Sequence, residues 1–279
     1  MPVPGVDPSA AQARYRPGSA RRRIVTTEGE LQRVRAELET LRHDLMSRLA
    51  AERSRRRGPL MLQLHEVRRM LDAGYRYSSQ AGQDALVDRL FDGRRGGTFV
   101  DVGGYDGVGG SNTLFLEQMR GWTGVLVEPV PRQCARAAAV RRCPCLGLAV
   151  APEDGEAGFI EIDAGYTQMS GLAETYDPTL LERVRADPRH RELLIRVETR
   201  TLSRILTETG LPDPDFVSLD IEGGELAVLS AFPFTRHRVK VWAIENNTGT
   251  PAIGQIMRAA GHELVEFCGP DEIWRRRDA

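Results

Sequence analysis

The sequence predicts an α/β fold: one open, Rossmann-like sheet of seven mostly parallel strands with an antiparallel last strand, behind an N-terminal helical arm. Three observations carry this expectation. From residue 98 onward, strand-length apolar runs alternate with amphipathic helical stretches. The first run, Thr98 to Val102, meets a glycine-rich turn that opens into a helix capped by Ser111 or Asn112, the first β–α unit of a nucleotide-type fold. The last two runs, Glu263 to Cys268 and Glu272 to Arg275, are joined only by Gly269-Pro270-Asp271, a link short enough for nothing but a hairpin.

Taken in order, residues 1–23 mix Pro, Ala, Ser, Gly and Arg without periodicity and read as a disordered tail. At Thr27 and Glu30 a capping box opens a helix, because the hydroxyl can take an early N–H while Glu30 reaches back. Leu31, Val34, Leu38, Leu41 and Leu45 follow at 3–4–3–4 spacing, the apolar seam of a short coiled coil. Roughly two heptads are marginal alone. The arm, residues 24–57, therefore pairs with a second copy as a homodimer or packs on its own domain. The basic segment Ser54 to Gly58 reads as a solvated linker.

The domain proper then spans residues 58–279. Residues 59–71 form an amphipathic helix ended by Asp72-Ala73-Gly74, and a polar patch, Tyr77 to Asp84, precedes a second helix over 85–91. After the opening unit come a strand ending in Glu128-Pro129, a helix over 131–142 and a strand over 146–150. A short strand over 159–162, a loop around Tyr166 to Gly171, a helix over 178–186, a strand over 195–199 and a helix over 201–208 follow. The strand 215–220 ends in Asp220. The helix 224–231, the strand 239–245 and the helix 251–260 lead to the closing hairpin.

The chain has 279 residues, is 41% hydrophobic and 28% charged, and carries a net charge of −1, so nothing global points to nucleic acid or an anionic membrane. Thirteen arginines stand against seven acids before residue 58, and Lys240 is the single lysine, an arginine bias that reads as composition rather than function. Four scattered cysteines make no disulfide framework or zinc pattern and read as buried free thiols. No signal segment and no run of about 18 apolar residues is present, so a soluble, cytoplasmic protein is expected.

The turn Asp101-x-Gly103-x-x-x-Gly107 departs from the dinucleotide fingerprint. Counted from Gly103, the third position is Tyr105, which would obstruct the close backbone approach a pyrophosphate needs. An NAD-dependent oxidoreductase is disfavoured on that ground. A ligand without phosphates has no such requirement, and S-adenosylmethionine is one. Gly103 would let the backbone approach it, and Gly104, Tyr105, Asp106 and Gly107 of the same turn are assigned to the cofactor. Asp101 would reach the ammonium, and amides at the Ser111–Asn112 helix start would bind the carboxylate. Glu128, with Pro129, ends the second strand and supplies the acceptor for two ribose hydroxyls. Gln80, Gln83 and Asp84 would cover the cofactor from the N-terminal side or simply cap a helix; Gln83 is the one assigned to the cofactor.

The segments SQAGQD (79–84), FVDVGGYDGVGGSNT (99–113), GWTGVLVEPVP (121–131), FVSLDIEGGELAVL (216–229), AIEN (243–246) and DEIWRR (271–276) resemble the FkbM family of S-adenosylmethionine-dependent methyltransferases. The resemblance runs in order over residues 79–276 and leaves the arm outside. It implies the class I methyltransferase sheet and O-methylation of a hydroxylated small molecule. That acceptor is a macrolide or other secondary metabolite, or alternatively a sugar or glycan. The rival of another class is a non-catalytic, partner-binding protein on the same fold, which the coiled-coil arm favours and the joint presence of Asp101, Gly103, Glu128 and Asp220 disfavours.

Methyl transfer from a sulfonium to oxygen is one in-line displacement that needs alignment and, for an alcohol, a base. The candidates are Asp220 and Glu222 in the DIEGGE segment and Glu245 at the end of the fifth strand, at the carboxyl edge where α/β sheets bind ligands. Glu225 reads as a helix-start carboxylate. The same carboxylates would serve as a base or hold a divalent cation; no metal ligand set is assigned. His65, His190 and His237 read as packing or surface residues, and the loop 166–171 as a lid over the acceptor.

Overall fold

The computed structural model describes residues 18–278, with side chains from Thr27 onward. Its main sheet has seven strands: β1 (Thr98–Val102), β2 (Thr123–Val127), β3 (Cys145–Leu146), β8 (Phe216–Leu219), β9 (Val241–Glu245), β10 (His262–Cys268) and β11 (Asp271–Arg276). Their spatial order is β3-β2-β1-β8-β9-β11-β10. The first five run parallel, and β11 is antiparallel to both β9 and β10. The chain order reverses between β1 and β8, where an open α/β sheet leaves its crevice.

Alternation along the strands sends side chains to two helical layers. Val100, Val102, Val217, Leu219 and Trp242 pack with residues of α7 (Leu202–Glu208), α8 (Glu225–Ala231) and α9 (Pro251–Ala259) on one face. Phe99, Phe216, Val241 and Ala243 pack on the other face with α3 (Gln83–Leu90) and α4 (Leu114–Arg120). Pro131 opens α5 (Pro131–Val140), where its missing N–H costs nothing.

Between β3 and β8 the chain departs from the predicted alternation. The expected strand 146–150 divides: Cys145–Leu146 stays in the main sheet, and β4 (Ala149–Val150) leaves it. β4 joins β5 (Gly155–Ala164), β6 (Gly171–Leu172) and β7 (Arg191–Arg200) in a second sheet ordered β4-β7-β5-β6, with α6 (Pro178–Arg185) before β7. The pairing of β5 with β7 runs antiparallel from Gly155–Thr199 to Ala164–Arg191. Its small core includes Val130, Ala149, Phe159, Leu172 and Val197.

The arm helix α1 (Gly18–Ala51) starts upstream of Thr27, so the expected capping box lies inside it. Of the predicted tail 1–23, residues 18–23 belong to this helix, and 1–17 lie outside the described residues. The leucine seam is used at its C-terminal end: Leu45, together with Leu49 beyond the seam, packs with Leu60, Leu64 and Val67 of α2 (Arg57–Leu71). Leu31, Val34 and Leu41 remain exposed. The basic segment is not a solvated linker. Arg55 donates to Glu272 at 2.8 Å and Arg57 pairs with Glu266, both partly buried, and together they pin the α1–α2 junction to the β10–β11 edge. Among the described residues, no helix is long and apolar enough to cross a membrane. All four cysteines are free; Cys268 is buried, and the other three are half-buried rather than buried as expected.

Candidate active site

The carboxyl ends of β1, β2, β8 and β9 open into a cleft that is also lined by residues of the second sheet. The turn after β1 is shaped by contacts that no side chain could share. Gly103 has φ +79°, and a Cβ there would lie 1.7 Å from the Asp220 carbonyl oxygen. The turn and the end of β8 are thereby held in backbone contact. Tyr105 follows at φ +49°, an uncommon left-handed conformation for a bulky residue.

Glu128 is held at the end of β2 by two amides: Tyr105 N donates to Oε2 at 2.9 Å and Val130 N to Oε1 at 2.8 Å. Each oxygen keeps a lone pair for a hydroxyl. Burial pushes its carboxyl up to about 7, against the two amide hydrogen bonds. Leu148, Ala149, Val150 and Phe159 form an apolar wall on the same side of the cleft, suited to a flat ring. That wall was missed in the sequence because all of it but Leu148 belongs to the second sheet.

Asp101 accepts from Ser111 Oγ at 3.4 Å and from Thr113 Oγ1. It also lies 3.5 Å from Arg141 Nη1, whose side chain is fully buried and bridges to Glu117 at 2.9 Å. Arg141, at the end of α5, was not foreseen. Its signal in the sequence, one arginine among many, is invisible without the fold.

Of the residues expected at the cofactor, Asp101, Gly103, Gly104, Tyr105, Ser111, Asn112, Glu128, Pro129 and Asp220 line the cleft. Three do not. Gln83 is buried away from it, its amide oxygen accepting from Ala81 N at 2.8 Å and its NH₂ donating to Asp271 at 3.0 Å. Gln80 takes its place in the cleft wall. Asp84 accepts from the amides of Ser78 and Ser79 and thus fixes the stretch that presents Gln80. Asp106 caps its own turn through Val108 N and Gly109 N, and Gly107 packs against Ala137 and Arg141. Both shape the turn from behind.

Across the cleft, the three expected acids converge. Asp220 follows β8, Glu245 ends the adjacent parallel strand β9, and Glu222 sits between them at φ +59°. One carboxylate oxygen from each lies within 4.8 Å of the others. Burial, with the charge of Asp271 added, pushes Asp220 up to about 8. Glu222 and Glu245 are pushed well above the usual carboxylate range by burial and then by the charge of Asp220. Glu225 instead accepts from the amides of Ile221 and Gly223 and closes the first turn of α8, the structural role anticipated for it.

The loop expected to form a lid does border the cleft: Thr167, Gln168, Met169 and Ser170 line it. The histidines do not. His237 is buried between Ser203 Oγ at 2.8 Å and the Pro212 carbonyl at 2.7 Å, His65 is buried against Tyr75, and His190 pairs with Glu192.

This sheet order, with a shaped turn after β1, an acid after β2 and an acid-lined facing wall, defines a methyltransferase-like α/β protein. The model of the methyltransferase FkbM domain matches residues 101–265, and the chain belongs to that family. Among curated proteins, none matches the chain. Solved structures similar to it include the following two. One is the methyltransferase FkbM from Methylobacillus flagellatus KT, at 13% identity over 85% of this chain and 58% of that one, with a TM-score of 0.41. The other is a TehB-like SAM-dependent methyltransferase from Corynebacterium glutamicum, at 13% identity over 79% of this chain and 100% of that one, with a TM-score of 0.37. The chain spans just under three fifths of the length of the first.

Proposed function

We propose that the protein transfers a methyl group from S-adenosylmethionine to a hydroxyl of a small molecule, a secondary metabolite or, as the alternative acceptor, a sugar or glycan. The observation that carries this reading is the division of one cleft into two walls. Glu128 and the apolar residues 148–150 suit a nucleoside, with Asp101 and Ser111 at its amino-acid end. The facing wall offers carboxylates to a neutral acceptor.

In the proposed step the acceptor oxygen forms the new O–CH₃ bond as the S–CH₃ bond breaks, the bonding pair going to sulfur and leaving a neutral thioether. The hydroxyl proton passes to the Asp220–Glu222–Glu245 group, whose partly desolvated carboxylates are stronger bases than exposed ones. Water exclusion by the 166–171 loop keeps the sulfonium from hydrolysis.

Calorimetry with S-adenosylmethionine, its demethylated product and NAD tests the cofactor. Binding of NAD alone would overturn the reading. Glu128→Ala should weaken cofactor binding, while Asp220→Asn should lower kcat with cofactor affinity kept. Tight cofactor binding with no turnover on any hydroxylated acceptor would favour a non-catalytic partner-binding role.

A further inference from the structure

The facing wall gathers more acidic groups than one proton transfer needs. Asp220, Glu222 and Glu245 come from the ends of two adjacent strands and the turn between them, with ligand oxygens within 4.8 Å of one another. Among the described residues none of the three forms an ion pair, and the one side-chain N–H donor to them is Asn247, at 3.3 Å from Glu222 Oε2. Like charges this close in a desolvated site repel strongly.

A separate observation points to a ligand. Glu245 is only 7% exposed, lines the cleft, and its Oε2 has no hydrogen-bond partner among the described residues. Asn112, 8% exposed and also lining the cleft, leaves its Oδ1 unpartnered in the same way, although its NH₂ donates to Ser218 at 2.9 Å. A buried acceptor left unmade costs about 1–3 kcal/mol, more when charged. Both orphans are acceptors, so the missing partner is a hydrogen-bond donor or a cation.

The donor set identifies it. All three groups are carboxylates, with no thiolate or imidazole among them, which selects a hard cation. Oxygens on opposite sides of an ion at about 2.1 to 2.4 Å stand roughly 4.2 to 4.8 Å apart, and neighbouring ones closer. The oxygens lie within 4.8 Å of one another, a separation within reach of a shared ion. We propose that Asp220, Glu222 and Glu245 bind one hard divalent cation, Mg²⁺, Mn²⁺ or Ca²⁺, on the acceptor wall of the cleft. Binding of the ion stands on these residues alone. Its use, holding the acceptor oxygen so that the O–H is acidified and the proton leaves to a carboxylate oxygen the ion does not engage, rests on the methyltransferase reading above.

The test is titration of chelator-treated, full-length protein with Mn²⁺ in the absence of cofactor and acceptor, followed by the electron spin resonance of free Mn²⁺ and by calorimetry. One ion per chain is expected, displaced by Mg²⁺ or Ca²⁺, with a rise in melting temperature on binding. Glu222→Gln and Glu245→Gln should each weaken binding at least about tenfold. Glu263→Gln, at an exposed carboxylate paired with Arg275, should leave it unchanged. Should a glutamate variant not fold, the half-buried Asp220→Asn serves in its place. Absence of Mn²⁺ binding, or binding indifferent to all of these cleft substitutions, overturns the site. Methyl transfer that persists in chelator with no ion bound overturns the ion's use in the reaction and leaves the proposed reaction standing. Mn²⁺ bound as described, with no cofactor binding, overturns the reaction and leaves the ion site standing.

Discussion

The hydroxyl of Tyr105 lies 2.6 Å from Thr167 Oγ1 and ties the turn after β1 to the loop that covers the cleft. The two residues are 62 positions apart, and Tyr105 makes this contact from a left-handed backbone. Such a conformation costs about 1–3 kcal/mol and persists where the surroundings over-determine it. Tyr105→Phe should keep the fold and remove about 1 kcal/mol from the closed arrangement, close to a fivefold rise in KM. Amide exchange over residues 166–170 should quicken. Unchanged exchange there would show that the loop is held by other contacts.

Arg141 is the only cation touching Asp101 among the described residues, and its side chain is fully buried between Asp101 and Glu117. Removing one partner of such a group leaves the others charged and desolvated. Arg141→Met should lower unfolding free energy by about 3–5 kcal/mol, measured by denaturant titration. Arg141→Lys should recover part of it, since a lysine restores the charge but not the fork that also reaches Thr113 Oγ1 at 2.8 Å.

Glu128 gives the cleft a pH dependence of definite sign. Its carboxyl is raised by burial from an ordinary 4.5 to about 7. The folded state therefore holds a proton that the unfolded state has lost between those values. The stability this lends to the free protein is full below about 4.5 and fades as pH rises through about 7. A diol ligand favours the ionised carboxylate. Affinity for S-adenosylmethionine should accordingly increase from pH 6 to pH 8, with a proton released on binding. Calorimetry in buffers of different ionisation enthalpy checks this, and Glu128→Gln should bind weakly with a flat profile.

The arm is anchored from its C-terminal half. Leu45 is fully buried against α2, whereas Leu31 is 66% exposed. Leu45→Ala should cost about 2–5 kcal/mol of stability, and Leu31→Ala close to nothing. Equal effects of the two substitutions would mean that the whole seam is covered in solution.

Much of the main sheet was legible because its strands are short, apolar and bounded by glycine, proline or a terminal acid. Thr98–Val102 coincides with the expected strand, and the antiparallel last strand followed from the three-residue hairpin link. The second sheet was not legible. Its expected strands over 159–162 and 195–199 are fragments of ten-residue strands: in β5 only the central Phe159–Ile162 is buried, and in β7 burial is patchy, with Leu193 and Leu194 exposed, so no continuous apolar run marks either strand's full length. Gln83 was misplaced for a related reason: a buried polar side chain at a helix start reads identically whether it faces a ligand or, as here, Asp271. The capping box at Thr27 failed because a good local cap does not stop a helix that continues from Gly18.

The sequence by itself determined much of the order of β and α units, the turn whose spacing departs from the dinucleotide fingerprint, and the acids at the strand ends, since each is encoded in local spacing. Only the tertiary structure decided which distant residues share the cleft. Arg141 behind Asp101, Thr167 against Tyr105, and Glu245 beside Asp220 are separated by 40, 62 and 25 positions. Their meeting depends on strand order and on burial, quantities that no local pattern of residues carries.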